Sequence, residues 1–198
     1  MYFRMDSELS PEVGHVDALT LGFIDLQSGG KIDENELELP LRFTVMDKPW
    51  GGSRIADYYS GSDLWSKRLL SIVQSAGVDN LQVLPAEIMK VPADFELGEQ
   101  GGTFPPEATG EVVRDWVVVN IVGSVSCADV GASDSSPLAD VSYFHKLVVS
   151  PAQTGGLKIF RLAECPGDII VSKEVAEAIT AANFTDVSLE PLEESSAE

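Results

Sequence analysis

Cysteine and histidine are scarce in this chain, and their scarcity narrows the chemistry that the protein can support. Only Cys127 and Cys165 occur among 198 residues, which is too few for a disulfide framework. Both lie beside apolar runs, so we expect them to be small core residues. His15 and His145 are isolated, and neither falls in an HxxxH or HExxH spacing. The sequence therefore predicts neither a metal site nor a bound cofactor.

Positive charge is also scarce. The chain has 13 Lys and Arg residues against 32 Asp and Glu residues, which gives a formal net charge of −19. Phosphate contacts need clustered Lys and Arg, so this balance disfavours direct binding to nucleic acid and to an anionic membrane surface. Two interpretations of the acidity stay open. It attracts a basic protein partner, or it is a general device for solubility or a mark of an acidic proteome.

The chain has no long apolar run. The longest one surrounds residues 117–119 and falls well short of the ~20 residues that a membrane-spanning helix needs. The first residues, MYFRMD, lack the apolar segment of a secretory signal peptide. We therefore expect a cytoplasmic protein that does not enter a membrane.

Recognisable catalytic motifs are missing as well. The sequence contains no GxSxG elbow, no SxxK pair in a suitable context, no P-loop and no GxGxxG after a strand. The aspartates between residues 129 and 140 lack the spacing and central glycine of a calcium loop. A binding protein is favoured over an enzyme. A small hydrolase with an unrecognised carboxylate site stays open, and a pocket with convergent titratable groups is the feature that favours it.

A repeated pattern is the main feature that the sequence does have. Residues 66–85 align with residues 172–191 without a gap, with identical Ser, Lys, Ala and Pro at four positions, and weaker matches extend the two units to 61–85 and 167–191. The apolar periodicity of each unit predicts a strand, a helix and a second strand. Duplication and convergence on a common local pattern both stay open.

The same residue types begin and end the two predicted helices. Ser66 and Ser172 are predicted N-caps, whose hydroxyl accepts a backbone N–H bond. Gly77 and Asn183 are predicted to end the helices in the left-handed conformation. The second strand of the first unit should be the more buried one, because Leu84 stands where the second unit has the polar Glu190.

Alternation and β-branched composition predict the remaining strands. We expect them at residues 2–5, 16–26, 41–46, 115–125, 141–149 and 157–162, with a half-buried acidic edge strand at 33–38. Residues 157–162, LKIFRL, should have one basic, solvated face. Asn120 is expected to satisfy a nearby backbone group, residues 126–140 to be irregular, and residues 98–110 to form a surface loop.

These elements predict an α+β fold in which a mixed or antiparallel sheet carries two principal helices from the repeated unit. We expect a single domain over residues 1–191 and a disordered acidic tail over residues 192–198.

Three segments of the chain together resemble the eleventh immunity-protein family of bacterial polymorphic toxin systems. They are residues 66–82 (SKRLLSIVQSAGVDNLQ), 118–129 (VVNIVGSVSCAD) and 159–179 (IFRLAECPGDIIVSKEVAEAI). The resemblance spans roughly residues 57–191, and residues 1–56 match only loosely. It implies a cytosolic α+β protein that neutralises the toxin encoded beside it by binding. The family pattern transfers no toxin-contacting residue.

The expected partner is therefore a cognate toxin, plausibly a basic nuclease, and the expected interface is acidic. A stand-alone acidic adaptor is the remaining alternative. Trp50 is a candidate anchor, because exposed aromatic side chains often anchor interfaces. The candidate carboxylates are Asp33, Glu34, Glu36, Glu38, Glu99, Glu107, Asp129, Asp134 and Asp140.

Overall fold

The computed structural model describes residues 1–19, 25–46, 54–91, 112–138 and 141–195. Strands and two α-helices alternate along the chain in the order β1 (Tyr2–Ser7), β2 (His15–Ala18), β3 (Leu41–Met46), β4 (Tyr58–Tyr59), β5 (Leu64–Ser66), α1 (Lys67–Ser75), β6 (Leu81–Val91), β7 (Val112–Val113), β8 (Trp116–Ile121), β9 (Ser124–Val125), β10 (Asp134–Leu138), β11 (Val141–Lys146), β12 (Val148–Val149), β13 (Ile159–Leu162), β14 (Cys165–Ser172), α2 (Lys173–Ala181), β15 (Val187–Pro191) and β16 (Glu193–Glu194).

Two mixed sheets hold most of these strands. One has the order β2-β3-β6-β8-β5-β4, with β7 beside β6, and the other has the order β15-β1-β14-β13-β9. Two small ladders, β10–β11 and β12–β16, complete the described strands. The predicted α+β class with two principal helices is confirmed. No helix within the described residues is long and apolar enough to cross a membrane.

The two strand–helix–strand segments have the same topology. In the first, β5 and β6 flank β8 and both pair with it antiparallel. In the second, β14 and β15 flank β1 and both pair with it antiparallel. Each segment is therefore a split β-α-β arrangement, in which a strand from elsewhere in the chain fills the gap. Duplication and convergence of the two segments both stay open.

Three of the four predicted helix boundaries have the expected geometry. The Ser66 hydroxyl accepts the Leu69 N–H at 3.1 Å, and Gly77 and Asn183 adopt φ angles of 85° and 55°. Ser172 occupies the N-cap position of α2, but its hydroxyl donates to Glu174 Oε2 at 2.7 Å and accepts no backbone N–H. The predicted cap bond of Ser172 is therefore wrong, because a carboxylate in the first turn is the stronger hydrogen-bond partner.

The apolar stripes of both helices pack into one core between the sheets. Leu69 and Val73 of α1 and Val175 and Ile179 of α2 are each at most 2% exposed. They pack with Trp65 and with residues of β8 and β14. The second strand of the first unit is more buried than that of the second unit, as predicted, because β6 lies inside its sheet and β15 at an edge.

Several predictions about the connecting strands are wrong. The segment that contains Glu34–Glu36 is a 3-10 turn rather than an edge strand, because the Asp33 carboxylate accepts the Asn35 N–H and favours a local turn. Residues 134–138 form β10 rather than irregular structure. Strand β13 has no solvated face, because all four of its residues are buried and Arg161 is only 1% exposed.

The ends of other predicted strands also differ. The run at 115–125 forms β8 in one sheet and β9 in the other, and Gly123 at φ 145° divides them. Strand β2 spans His15–Ala18 and so covers only residues 16–18 of the strand predicted at 16–26. Residues 20–24 and the predicted loop at 98–110 lie outside the described residues.

The predicted tail is partly ordered. Leu192 is 7% exposed, and β16 pairs in parallel with β12. Residues 192–195 therefore belong to the folded structure, while residues 196–198 lie outside the described part of the chain.

Candidate functional site

An acidic loop, residues 30–38, lies across the ends of β6 and β8. Gln82 of β6 and Asn120 of β8 are directly opposite each other in the antiparallel pair. Gln82 accepts the Ile32 N–H at 2.9 Å and donates to the Ile32 carbonyl at 2.8 Å. Asn120, which is fully buried, donates to the Gly30 carbonyl at 2.7 Å. Asn120 therefore satisfies a backbone group, as predicted, and the two amides fix the loop to the sheet.

The carboxylates of the acidic loop point into solvent from this fixed backbone. Asp33, Glu34, Glu36 and Glu38 are all exposed. Glu34 accepts a bond from Gln82 at 3.1 Å, and Glu38 pairs with Arg42 at 2.8 Å. The loop thus presents four predicted interface carboxylates close together in a defined conformation.

Of the other predicted interface residues, the structure describes Asp129 and Asp134. Asp129 is half-buried, and its carboxylate accepts the Ala132 N–H at 3.1 Å, so it stabilises a turn. Asp134 is exposed at the start of β10. The remaining candidates, Trp50, Glu99, Glu107 and Asp140, lie outside the described residues.

A polar cavity of about 400 Å³ opens on one face of the β15–β1–β14 strands. Arg4 lies directly opposite Glu190 in the strand pairing, and Asp6 lies opposite Ser188. Because side chains alternate along a strand, these four residues share one face. The other lining residues are Met5, Gln27, Ser60, Gly61, Tyr143, Gly167 and Asp168.

Arg4 is held firmly inside this cavity. Its Nε and Nη2 atoms donate to Glu190 Oε2 at 2.9 and 2.5 Å, and its Nη1 lies 3.6 Å from Asp168 Oδ2. Burial opposes the positive charge, but the hydrogen bond with Glu190 and the attraction of Asp168 raise the pKa of Arg4. Arg4 is therefore a fixed cation that neutralises part of the surrounding acidity.

Asp168 and Cys165 are neighbours at the edge of the cavity. Burial raises the pKa of Asp168 above that of an ordinary aspartate, although Arg4 opposes the change. Burial and the charge of Asp168 also raise the pKa of the Cys165 thiol. Burial raises the pKa of Cys127 to about 12. Because the thiolate is the reactive form, neither cysteine is an activated nucleophile.

Arginine charge is compensated within the chain. Each arginine lies between 2.5 and 3.7 Å from a carboxylate oxygen of the same protein: Arg4 with Glu190, Arg42 with Glu38, Arg54 with Asp186, Arg68 with Asp57, Arg114 with Glu87 and Arg161 with Asp63. The excess of carboxylates therefore sets the sign of the field outside the protein.

Local sequence patterns indicated the acidic loop but not the cavity. The carboxylates of the loop are close in sequence, so composition alone found them. The cavity needs the register of β1 against β14 and β15, which lie near the opposite end of the chain. The only sequence signal was alternation, which places Arg4 with Asp6 on one face of β1 and Ser188 with Glu190 on one face of β15.

Comparisons with known proteins give no identification. A scan against models of protein families finds no match, and a search of curated proteins finds no similar sequence. Within the part of the chain that the structure describes, no group of three or more His, Cys, Asp or Glu side chains is arranged to hold a metal ion. The described feature of the site is therefore the acidic loop, with its four exposed carboxylates.

Proposed function

We propose that this protein is a cytoplasmic immunity protein, which neutralises a cognate bacterial toxin by binding it through an acidic surface. The observation that carries the proposal is the fixed acidic loop on a chain whose arginines are all paired internally. The resemblance to the immunity-protein family supports the same conclusion and names the class of partner. The toxin is a basic protein, such as a nuclease, that acts in the same compartment.

The mechanism is occlusion rather than chemistry. A field from a net charge of −19 accelerates the encounter with a basic surface. A loop whose backbone is already fixed loses little conformational entropy on binding. Gln82 and Asn120 supply that fixation, and Glu34 and Glu36 supply charge at its exposed side. The toxin's own nucleic-acid-binding surface is the natural target, because it must be basic.

Co-expression with the product of the adjacent toxin gene tests the function itself. Cells that produce the toxin should grow only when this protein is present. Growth arrest that persists in its presence, or a neighbouring protein that is harmless, contradicts the proposal.

Charge variants test the surface. Glu34→Gln with Glu36→Gln removes two charges from the loop and should weaken toxin binding at least fivefold, about 1 kcal/mol. Glu174→Gln with Glu177→Gln removes two exposed charges from α2 and is the matched control. Gln82→Leu should weaken binding without changing the net charge, because it releases the loop backbone. Equal affinities for the loop variant and the α2 variant contradict a role for the loop.

One observation favours a second candidate, a small hydrolase. The polar cavity is lined by four charged side chains, Arg4, Asp6, Asp168 and Glu190, and the pKa of Asp168 is raised by burial. A carboxyl group of that kind is suited to proton transfer. Hydrolysis of a panel of ester, phosphate and glycoside substrates by the wild type, lost in Asp168→Asn, supports this candidate. Absence of turnover in the wild type removes it.

A further inference from the structure

Strand β15 lies at one edge of the five-stranded sheet. It pairs with β1 on one side, and within the described residues no strand pairs with it on the other. With five residues it is longer than the other described edge strands of the two large sheets, since β2 has four residues and β4 and β9 have two each. An edge strand can accept a further strand through backbone hydrogen bonds.

The pairing with β1 shows which backbone groups of β15 point outward. The Leu192 N–H donates to the Tyr2 carbonyl at 3.0 Å. Bonding direction alternates along an antiparallel pair, so every second residue before Leu192 also bonds towards β1. Val187 and Leu189 occupy the alternate positions and direct their N–H and carbonyl groups away from the sheet. Pro191 ends this outer edge, because it has no N–H to offer.

The two faces of β15 differ in polarity. Val187 and Leu189 are half-buried and pack against the core that holds both helices. Ser188 and Glu190 point to the opposite face, where they line the polar cavity, and the Glu190 side chain is 56% exposed. A strand added at this edge would therefore place one row of side chains beside an apolar face and the other row beside the cavity.

The cavity beside this edge has an excess of negative charge. Its charged lining residues are Asp6, Asp168, Glu190 and Arg4. Arg4 is already bonded to Glu190 and lies 3.6 Å from Asp168, so three carboxylates share one guanidinium. Tyr143, which is 53% exposed, adds an aromatic ring to the lining. Carboxylates and an exposed ring both attract cationic side chains.

We propose that the outer edge of β15 is a docking site for an extended segment of another protein, in which basic and apolar side chains alternate. The segment pairs antiparallel with β15, the more stable arrangement. Its basic side chains lie beside Ser188 and Glu190 and reach the cavity, while its apolar side chains cover Val187 and Leu189. Backbone bonds supply affinity in this mode of binding, and the alternating side chains supply specificity.

This edge lies in a different sheet from the acidic loop. It is therefore a binding surface beyond the one in the proposed function, and no toxin is needed to test it.

A second copy of the chain fits the edge poorly. Antiparallel self-pairing centred on Leu189 would place Glu190 of each copy beside Ser188 of the other and bring two acidic cavities together. Each copy has a net charge of −19, so repulsion opposes the contact. Charge complementarity therefore favours a basic segment as the occupant.

A short peptide of alternating valine and lysine, acetylated and amidated at its ends, tests the site on the full chain. At millimolar peptide the amide signals of Val187 and Leu189 should shift saturably, and their hydrogen exchange should slow about tenfold or more, because both N–H groups gain a partner. Changes at residues 33–38 without changes at Val187 and Leu189 overturn the proposal.

Two control peptides separate the contributions of charge and backbone. In one, glutamate replaces lysine, so its charge is wrong for the cavity. In the other, the valines are N-methylated, so they cannot donate to the Val187 and Leu189 carbonyls. Neither control should protect the two amides. Equal protection by all three peptides overturns the proposal.

A matched pair of variants tests the cavity face. Ser188→Lys adds a positive charge beside the cavity and should raise the Kd of the lysine peptide about fivefold. Thr180→Lys adds the same charge at an exposed position of α2 and should change Kd by less than about twofold. Equal effects of the two variants mean general attraction to an acidic protein and overturn the proposal.

Self-association is the remaining outcome. Sedimentation of the wild type should show no dimer that protects the Val187 and Leu189 amides in the absence of peptide. Such a dimer overturns the proposal, because a second copy then occupies the edge. Should Ser188→Lys fail to fold, the three peptides on the wild type still decide.

Discussion

The two strand–helix–strand units place equivalent residues in equivalent positions and then use them differently. Asn80 of the first unit aligns with Asp186 of the second, and each lies just before the strand that follows the helix. Asn80 donates to the Val122 and Ile159 carbonyls, both at 3.0 Å. Asp186 accepts two bonds from Arg54, at 2.6 and 2.7 Å, and one from the Asp57 N–H at 3.1 Å.

These contacts are reciprocal. Asn80 reaches from the first unit to β13 of the five-stranded sheet, and Asp186 reaches from the second unit to the chain that enters β4 of the seven-stranded sheet. One contact uses a neutral donor and the other a charged acceptor. The comparison shows that equivalent positions of the two units connect to the other sheet, although the chemistry of the two connections differs.

The largest difference between the units is expected at these two positions. Asp186→Asn should lower the free energy of unfolding at pH 7 by about 2–3 kcal/mol, because it removes a buried charge partner from Arg54. Asn80→Ala should cost about 1–2 kcal/mol, the loss of two bonds to carbonyls. Urea unfolding at pH 7 compares them, and equal losses would contradict the charged character of the Asp186 contact.

Low pH should change the stability effects of the same two variants differently. Burial alone would raise the pKa of Asp186, but the bonds from Arg54 and Asp57 outweigh it and lower that pKa. The stabilisation by Asp186 is therefore present above pH 3.8 and is lost as the pH falls through the pKa of the folded state. Below pH 4 the difference between wild type and Asp186→Asn should shrink. The difference between wild type and Asn80→Ala should stay constant.

The next largest difference in stability is expected between substitutions at the C-terminal ends of the two helices. At Gly77 a Cβ atom would lie 2.8 Å from Lys158 Nζ, and φ is 85°. Gly77→Ala should therefore cost about 1–2 kcal/mol through strain and displacement of that lysine. Asn183→Gly, at the equivalent end of α2, should change stability by about 0.5 kcal/mol or less. Thermal unfolding of both variants checks this order, and a neutral Gly77→Ala contradicts it.

The two N-cap serines should differ by less. The Ser66 hydroxyl accepts the Leu69 N–H at 3.1 Å and donates to Asp57 Oδ1 at 2.5 Å. Ser66→Ala should cost about 1 kcal/mol. Ser172→Ala loses only the bond to Glu174 and should cost about 0.5 kcal/mol or less, because that carboxylate is fully solvated. Equal costs in urea unfolding would restore a capping role to Ser172.

The smallest difference concerns two basic side chains at the helix C-termini. Lys158 donates to the Ala76 carbonyl at 2.7 Å, and Arg68 donates to the Ala182 carbonyl at 2.5 Å. Replacing either by Met should cost about 0.5 kcal/mol. The cost of Arg68→Met should fall in 1 M salt, because Arg68 is exposed and screened, while that of Lys158→Met should persist. Unfolding at low and high salt measures both, and identical salt dependence contradicts the distinction.

Sequence patterns correctly predicted features that depend only on residues close together in the chain. Gly77 and Asn183 end their helices as expected because the requirement is a local backbone angle. The cap bond predicted for Ser172 does not form, because Glu174, two residues away, competes for the hydroxyl. Arg161 was expected on a solvated face, since its partner Asp63 lies 98 residues away and no local pattern reveals the pair.

The candidate surfaces divide in the same way. Carboxylates that lie close together in the chain, such as those of residues 33–38, could be chosen from composition, although the edge strand predicted for them was wrong. The cavity around Arg4 could not, because β1 acquires its neighbours only through pairing with the far end of the chain.

That pairing also sets the order in which the protein can fold. Strand β1 is made long before its partners, β14 and β15. At typical rates of protein synthesis β1 waits about 10–30 s without a partner. Long-range strand pairing of this kind is slow to form and exposes an unpaired edge meanwhile. Of the two larger sheets, the five-stranded one is therefore completed later, and β1 exposes an unpaired edge until then.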